Sequence, residues 1–420
     1  MMSDIVTIFS ILLIASGLGL FGIAFFLIRP STPFIAFLVF FVLETFFGGL
    51  PSLQLGSLNI NPLDGLATLS IASSLASLLL KKNRISKINL IFLMLGVLLA
   101  ISLLRGISLY GIELTVRYFR VYFYFYAATL AIMPLQSKPG ILRSFLKWSG
   151  WTTWLLLGIA LSRWIAVALG FYKNPEWIAP GGLMTRVIFA SPTFFILQAA
   201  IFAWTLSKRP QSMSWQGLMP YTIVPAIILL QHRTVWVILA FTLFAIFLLQ
   251  RRVRPDLFLL GLAGSLLTTG MVLVLWDNPV ITSLTGSVQN LNNLTWRIEG
   301  WLALLTPDRF TSVWDYFIGQ PFGTGYERYL FGSTYATEYS PHNFYVQTFL
   351  NIGGIGLLIL VGIYVSTLRL LVFKKQEPHK LAFSLILISQ LLYFLTYAPN
   401  YEQGLLLGFA ILAANTKSNQ

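Results

Sequence analysis

The sequence contains no cysteine, which excludes disulfides, thiolate metal ligands and cysteine nucleophiles together. Charge is almost as scarce. Only 10% of the 420 residues are Asp, Glu, Lys or Arg, where a water-soluble domain carries roughly 25%. So few charges cannot cover a water-facing surface over this length. A basic leader is also missing: the chain opens Met1-Met2-Ser3-Asp4, so the first apolar run is expected to be retained. No internal repeat or low-complexity tract stands out, and no soluble domain is expected at either end of the sequence.

What fills the chain is apolar, with 56% hydrophobic and 15% aromatic residues and a mean hydropathy of +0.77. Lipid must be the solvent for most of it. A helix needs about 20 apolar residues to cross a bilayer. Candidate spans fall at 5–28, 33–50, 62–80, 89–107, 115–134, 148–170, 187–206, 218–231, 233–250, 256–275, 343–373, 381–398 and 401–415. The last is short enough to be re-entrant. The expected fold is an all-α polytopic membrane protein with about 12 or 13 transmembrane helices and one long, partly helical loop. Four regions follow: helices over 1–210, helices with a boundary arginine over 211–275, the loop over 276–342, and C-terminal helices over 343–420.

The net charge of +14 suggests topology rather than nucleic acid, because lysine and arginine concentrate in alternate short loops. One set comprises Arg29, Lys81, Lys82, Arg84, Lys87, Lys138, Arg143, Lys147, Lys208, Arg209, Arg251, Arg252, Arg254, Arg369, Lys374, Lys375, Lys380 and Lys417. These predict the cytoplasmic side, which leaves 51–61, 276–342 and 399–400 outside. The remaining basic residues are Arg105, Arg117, Arg120, Arg163, Lys173, Arg186, Arg233, Arg297, Arg309 and Arg328, nine of the ten arginine. Topology would accept lysine. Arginine is favoured where a planar fork must grip phosphate or carboxylate. Some of these can pair with Glu113, Glu176 or Glu299, or reach headgroups. The set as a whole predicts an outward-facing anion site.

The loop 276–342 is too long for a connector. Leu291, Leu294, Ile298, Trp301 or Leu302, and Leu305 recur at helical spacing, with Asn290, Asn293, Arg297 and Gly300 opposite. That predicts a helix on the membrane surface, apolar side down, ending near Thr306-Pro307, with Arg297 on its polar face. Residues 319–326 (Gly-Gln-Pro-Phe-Gly-Thr-Gly-Tyr) predict a turn with close backbone approach, not a nucleotide-binding fingerprint. Asp315 and Glu327 flank it without metal-ligand spacing. Ser340-Pro341-His342-Asn343 then places His342 at the start of the span from Phe344, at the outer boundary. The helix dipole disfavours a protonated imidazole there and attracts phosphate. A neutral histidine can act as a general base. Of the three histidines, His379 lies in a basic loop and His232 adjoins Arg233, so His342 is the best placed. Arg233 opens its span at the same boundary, where a charge needs a partner or a cavity.

The order of these pieces resembles the O-antigen ligase family, which also contains surface-polysaccharide polymerases. The resemblance rests on His232-Arg233-Thr234, on Arg297 to Trp301, on Pro321 to Gly325, and on His342-Asn343-x-Tyr345-x-Gln347 leading into Asn351 to Leu357. It covers roughly 215–375. His232 stands where many relatives carry a small residue.

The resemblance implies a fold akin to the glycosyltransferase C superfamily and a glycan transferase of the bacterial inner membrane. Such an enzyme uses undecaprenyl pyrophosphate as donor carrier, and a glycan or lipid A-core hydroxyl as acceptor. It implies no cofactor, no metal and no nucleotide sugar, and a chain-length regulator as partner if the chain is a polymerase. Arg233 and Arg297 take the positions of pyrophosphate-contacting arginines, and His342 that of the essential histidine. Arg117, Arg120, Arg186, Asn343, Tyr345 and Gln347 are further candidates for substrate contact.

Two other readings compete. A metal-dependent oligosaccharyltransferase needs carboxylates clustered in outer loops, whereas Asp64 and Glu113 each stand alone; Trp314-Asp315-Tyr316 is only faintly similar to that family's acceptor motif. A transporter, such as a lipid-linked glycan flippase or an anion permease, also suits arginines in a cavity, but it should show paired broken spans or two related halves.

Overall fold

The computed structural model describes residues 17–55, 58–80, 86–136, 138, 140–171, 186–206, 215–250, 292–330, 336–373 and 377–415. The expected span at 256–275 and loop residues 276–291 lie outside these. The described fold is all-α apart from two small hairpins.

Helices α1 (Gly17–Ile28) and α2 (Thr32–Phe47) meet at a bend of 111°. The hairpin β1 (Leu53–Leu55) and β2 (Leu58–Ile60) leads to α3 (Pro62–Leu80), α4 (Lys87–Leu130) and α5 (Ile141–Ala168). Then come α6 (Ala190–Leu206), α7 (Trp215–Leu229) and α8 (Arg233–Gln250). The long loop holds α9 (Asn292–Leu304), α10 (Val313–Ile318) and the pair β3 (Arg328–Tyr329) and β4 (Ala336–Thr337). Helices α11 (Phe344–Phe373), α12 (Pro378–Tyr393) and α13 (Tyr401–Asn415) complete it.

Among the described residues, four helices are long and apolar enough to cross a membrane, or up to five if the bent α1–α2 pair is one span. The expected 12 or 13 spans exceed this count because 256–275 lies outside the described residues, α4 is counted once, and several other elements are shorter than a bilayer. The physical reason shows in α13, whose 15 residues are buried along nearly their whole length. A helix enclosed by protein need not match the thickness of lipid.

Two of the long helices fold back on themselves. The rings of Phe92 and Tyr126 stack at 4.7 Å, although a straight helix would hold them about 50 Å apart. The reversal is at Gly111, whose φ of 78° and ψ of 171° leave the helical region. Thus α4 supplies both expected spans, 89–107 and 115–134, as antiparallel arms.

The second reversal corrects an expectation. Phe344 and Tyr364 would stand about 30 Å apart on a straight helix. Both rings instead lie against Phe394, at centroid distances of 5.2 and 5.9 Å. Helix α11 therefore breaks at Gly353, where φ is 70° and ψ −174°. Residues 344–352 form a short arm, and only the part after Gly353 makes the long run expected over 343–373. Gly353 sits against the Phe317 carbonyl and the Gly319 backbone, so closely that a Cβ would overlap both. The close backbone approach expected of the Gly319 turn is thus made to this reversal. His342 lies at the foot of the short arm, at the end away from the reversal at Gly353.

The core is continuous and draws on both halves of the chain. Thr129 in α4 donates to the Gly404 carbonyl of α13 at 3.0 Å. Gln198, Gln403, Gln390 and Tyr364 form a buried polar chain linking α6, α13, α12 and α11. Buried amides joined in this way satisfy one another where water is excluded.

Candidate functional site

Helix α9 forms where its apolar spacing predicts, and it ends at Leu304 with Thr306 opening the next turn. Its two faces have different surroundings. Ile298, Leu302 and Leu305 are exposed, while Gly300 and Leu304 are buried against protein. Arg297 lies on the inward side. Its guanidinium donates to the Thr396 carbonyl at 3.2 Å and stands 5.4 Å from the centre of the Tyr397 ring. Its Nε is buried with no hydrogen-bond partner among the described residues. A cation held by one carbonyl and one aromatic face keeps donors for a ligand.

Thr396 ties this arginine to the second predicted one. Its hydroxyl donates to Thr234 Oγ1 at 2.9 Å, and Thr234 follows Arg233 at the start of α8. Arg186, just before α6, joins the group. Burial lowers its guanidinium from the ordinary value; Tyr397 acts against that shift, and the neighbouring Arg233 charge adds to it. Guanidiniums gathered in this way raise the local positive charge, and an anion placed among them would offset it. His232 is not part of this chemistry. Its ring is buried and donates from Nε2 to the Ile188 carbonyl at 2.9 Å.

His342 stands beside the cluster. The Trp296 ring is 6.2 Å from its imidazole, and the Arg328 guanidinium lies 5.6 Å over that Trp296 ring. Trp301 donates from its indole to the Pro341 carbonyl at 2.6 Å, fixing the preceding peptide. Gln231 and His342 are the only non-glycine residues with positive φ among the described residues, at 54° and 49°. Strain of this kind persists only where the surroundings enforce it, and it clusters at functional sites. Here it flanks Arg233 and coincides with His342.

Burial, with the Arg297 and Arg328 charges adding to it, pushes the His342 imidazole down to about 4. It is therefore neutral at neutral pH and able to accept a proton. Because the folded value lies below the unfolded value of about 6.5, the unfolded chain binds the extra proton between these limits. Stability contributed by neutral His342 is thus present above pH 6.5 and lost as pH falls towards 4. An activity that needs this base should keep its acid limb near pH 4. Removing the Arg297 charge should move that limb upward, towards the ordinary histidine value, in a pH–rate profile of Arg297→Ala. A limb that stays in place would show that the two groups do not interact.

The remaining predicted residues separate into different roles. The Asn343 side chain accepts from the amides of Tyr345 and Val346, at 3.0 and 3.1 Å. The Phe344 amide donates to the Phe394 carbonyl, and Gln347 to the Asn343 carbonyl. The first amides of the short arm are all occupied, so this helix end is closed to phosphate, contrary to expectation. Asn343 is a cap. The Tyr345 hydroxyl donates to the Leu391 carbonyl at 2.8 Å and so fastens α11 to α12.

Arg120 is held by Asp64 in a two-pronged salt bridge, Nε to Oδ1 at 3.1 Å and Nη2 to Oδ2 at 2.8 Å. Asp64 is therefore not alone, and Arg120 serves to join α3 and α4. Arg105 and Arg163 likewise hold backbone: Arg105 donates to the Gly319 carbonyl beside Asp315, and Arg163 to carbonyls at the end of α2. Arg117 and Gln347 line a separate cavity beyond residues 339–340.

Three contributors carry no local signal. Tyr397 lies 100 residues from the Arg297 that it faces, Thr396 is one more short polar residue near a helix end, and Arg328 looks like its neighbours until its contacts with Trp296 are seen. No protein-family model and no curated protein matches this chain, so its residues and their geometry carry the functional reading.

Proposed function

We propose that this chain is an integral-membrane glycosyltransferase of the bacterial inner membrane, with its site on the periplasmic side. It moves an oligo- or polysaccharide from undecaprenyl pyrophosphate to an acceptor hydroxyl, either of lipid A-core or of a growing glycan. The observation that carries this reading is the meeting of Arg186, Arg233 and Arg297 beside a neutral, strained His342. The resemblance in residue order through 215–375 supports it, and the alternation of basic loops supports the orientation.

In this mechanism His342 accepts the proton of the attacking hydroxyl. The new bond forms at the anomeric carbon as the bond to the pyrophosphate oxygen breaks, with inversion. The leaving group gains negative charge, and fixed arginines stabilise it more in the transition state than in the ground state. Apolar residues on the exposed side of α9 suit a site served by a lipid-borne donor.

The test is incubation of purified protein in nanodiscs with an undecaprenyl-pyrophosphate-linked glycan and an acceptor. Free undecaprenyl pyrophosphate should appear in step with elongated acceptor. Movement of the intact donor between leaflets without its cleavage would replace this reading with that of a flippase.

A further inference from the structure

A cavity lined by residues outside the arginine cluster is used by none of the roles above. It encloses about 570 Å³ and is lined by Arg117, Tyr118, Tyr326, Tyr339, Ser340 and Gln347 among others. That is within the range of about 300–1,000 Å³ typical of small-molecule sites. Its wall at 339–340 runs directly into Pro341-His342. Arg328 braces this wall by donating to the carbonyls of Tyr326 and Tyr339, at 2.9 and 2.7 Å. The same Arg328 packs over Trp296, which contacts His342. The cavity and the base are thus parts of one supported unit.

The lining states what the cavity would take. Gln347 is only 3% exposed; its side chain bonds the Tyr326 hydroxyl, and its side-chain oxygen has no hydrogen-bond partner among the described residues. A buried acceptor left open is unfavourable unless a donor arrives. Tyr118 and Tyr326 meet edge to face at 5.2 Å and present an aromatic wall. The rim carries one cation, Arg117, and one carboxylate, Glu338, while the nearby Arg309 and Arg328 spend their donors on backbone carbonyls. An open acceptor beside tyrosine rings, with mixed rim charge, matches a neutral, hydroxyl-rich ring.

We propose that this cavity binds a pyranose ring of the acceptor glycan, with a ring hydroxyl donating to Gln347 and the ring's apolar face on Tyr118. The assignment of that sugar to the acceptor rests on the transferase reading above; the binding of sugar does not. Bound there, the acceptor chain would end beside His342, with the donor pyrophosphate in the arginine cluster on the other part of the site.

The experiment is saturation-transfer NMR on the full chain in nanodiscs with maltotriose, mannotriose and N-acetylchitotriose as probes. At least one should receive saturation. Its binding should weaken about 3- to 10-fold in Gln347→Leu, the loss of one hydrogen bond, and weaken in Tyr118→Ala, while Arg297→Ala leaves it unchanged. Arg117→Gln, at an exposed rim position, should also weaken the transfer. No saturation of any probe, or saturation indifferent to Gln347→Leu and Arg117→Gln, would overturn the proposal. Gln347-dependent saturation by a protein that releases no undecaprenyl pyrophosphate would instead sink the transferase reading and leave the sugar site standing.

Discussion

Replacing His342 with alanine is expected to slow glycan transfer by about a hundred- to ten-thousand-fold, the usual contribution of a positioned general base. The argument has three parts. His342 is neutral because burial and two arginine charges lower its proton affinity. Its backbone is held at a positive φ of 49°, a conformation that Trp301 helps to fix through the Pro341 carbonyl. It adjoins the arginines that would bear the leaving group's charge. Arg297→Ala should cost a comparable hundred- to thousand-fold, as removal of a fixed electrostatic donor does. Arg297→Lys should recover only part of this, since it restores charge without the planar fork. All three variants should elute as monodisperse protein with the helical signal of the wild type, because neither side chain is part of the buried apolar core. Near-normal rates in both alanine variants would remove the proposed mechanism.

Gly353→Ala is expected to have the largest structural effect. With φ at 70° and ψ at −174°, Gly353 occupies a region that is essentially restricted to glycine, and another residue there costs about 1–3 kcal/mol. A Cβ would also collide with the Phe317 carbonyl and the Gly319 backbone. These groups cannot move freely. Arg105 holds the Gly319 carbonyl at 2.9 Å, and Gln320 donates to the Leu350 carbonyl at 2.6 Å. The reversal at Gly353 carries the short arm that sets His342 in place, so stability and site geometry should fail together. The measurements are the yield of monodisperse protein and its Tm in detergent. An alanine variant with wild-type yield and Tm would show that the break at Gly353 is not required.

Much of this was legible in the sequence, and the parts that were not share a cause. Helix α9 and its Arg297 face followed from the spacing of Ile298, Leu302 and Leu305, because amphipathic periodicity is a local property. The start of the arm at Phe344 followed from Asn343. The reversal at Gly353 did not. Hydropathy reports that 343–373 is apolar but not that the chain turns back within it, and the decisive contacts are to Phe394 and Phe317. Arg117 and Arg120 are one helical turn apart and alike in sequence. One lines a cavity and the other is held by an Asp64 fifty-six residues away. The arrangement of the site was similarly hidden: Thr396 and Thr234 link Arg297 to Arg233 from segments distant in the chain.

The central claim is that the arginine cluster holds a lipid pyrophosphate beside a separate base. Native mass spectrometry of the purified protein with undecaprenyl pyrophosphate tests it directly. The wild type and His342→Ala should both retain the lipid, and undecaprenyl monophosphate should be retained less. The double variant Arg233→Ala/Arg297→Ala should lose it. Equal retention by the double variant would contradict the account.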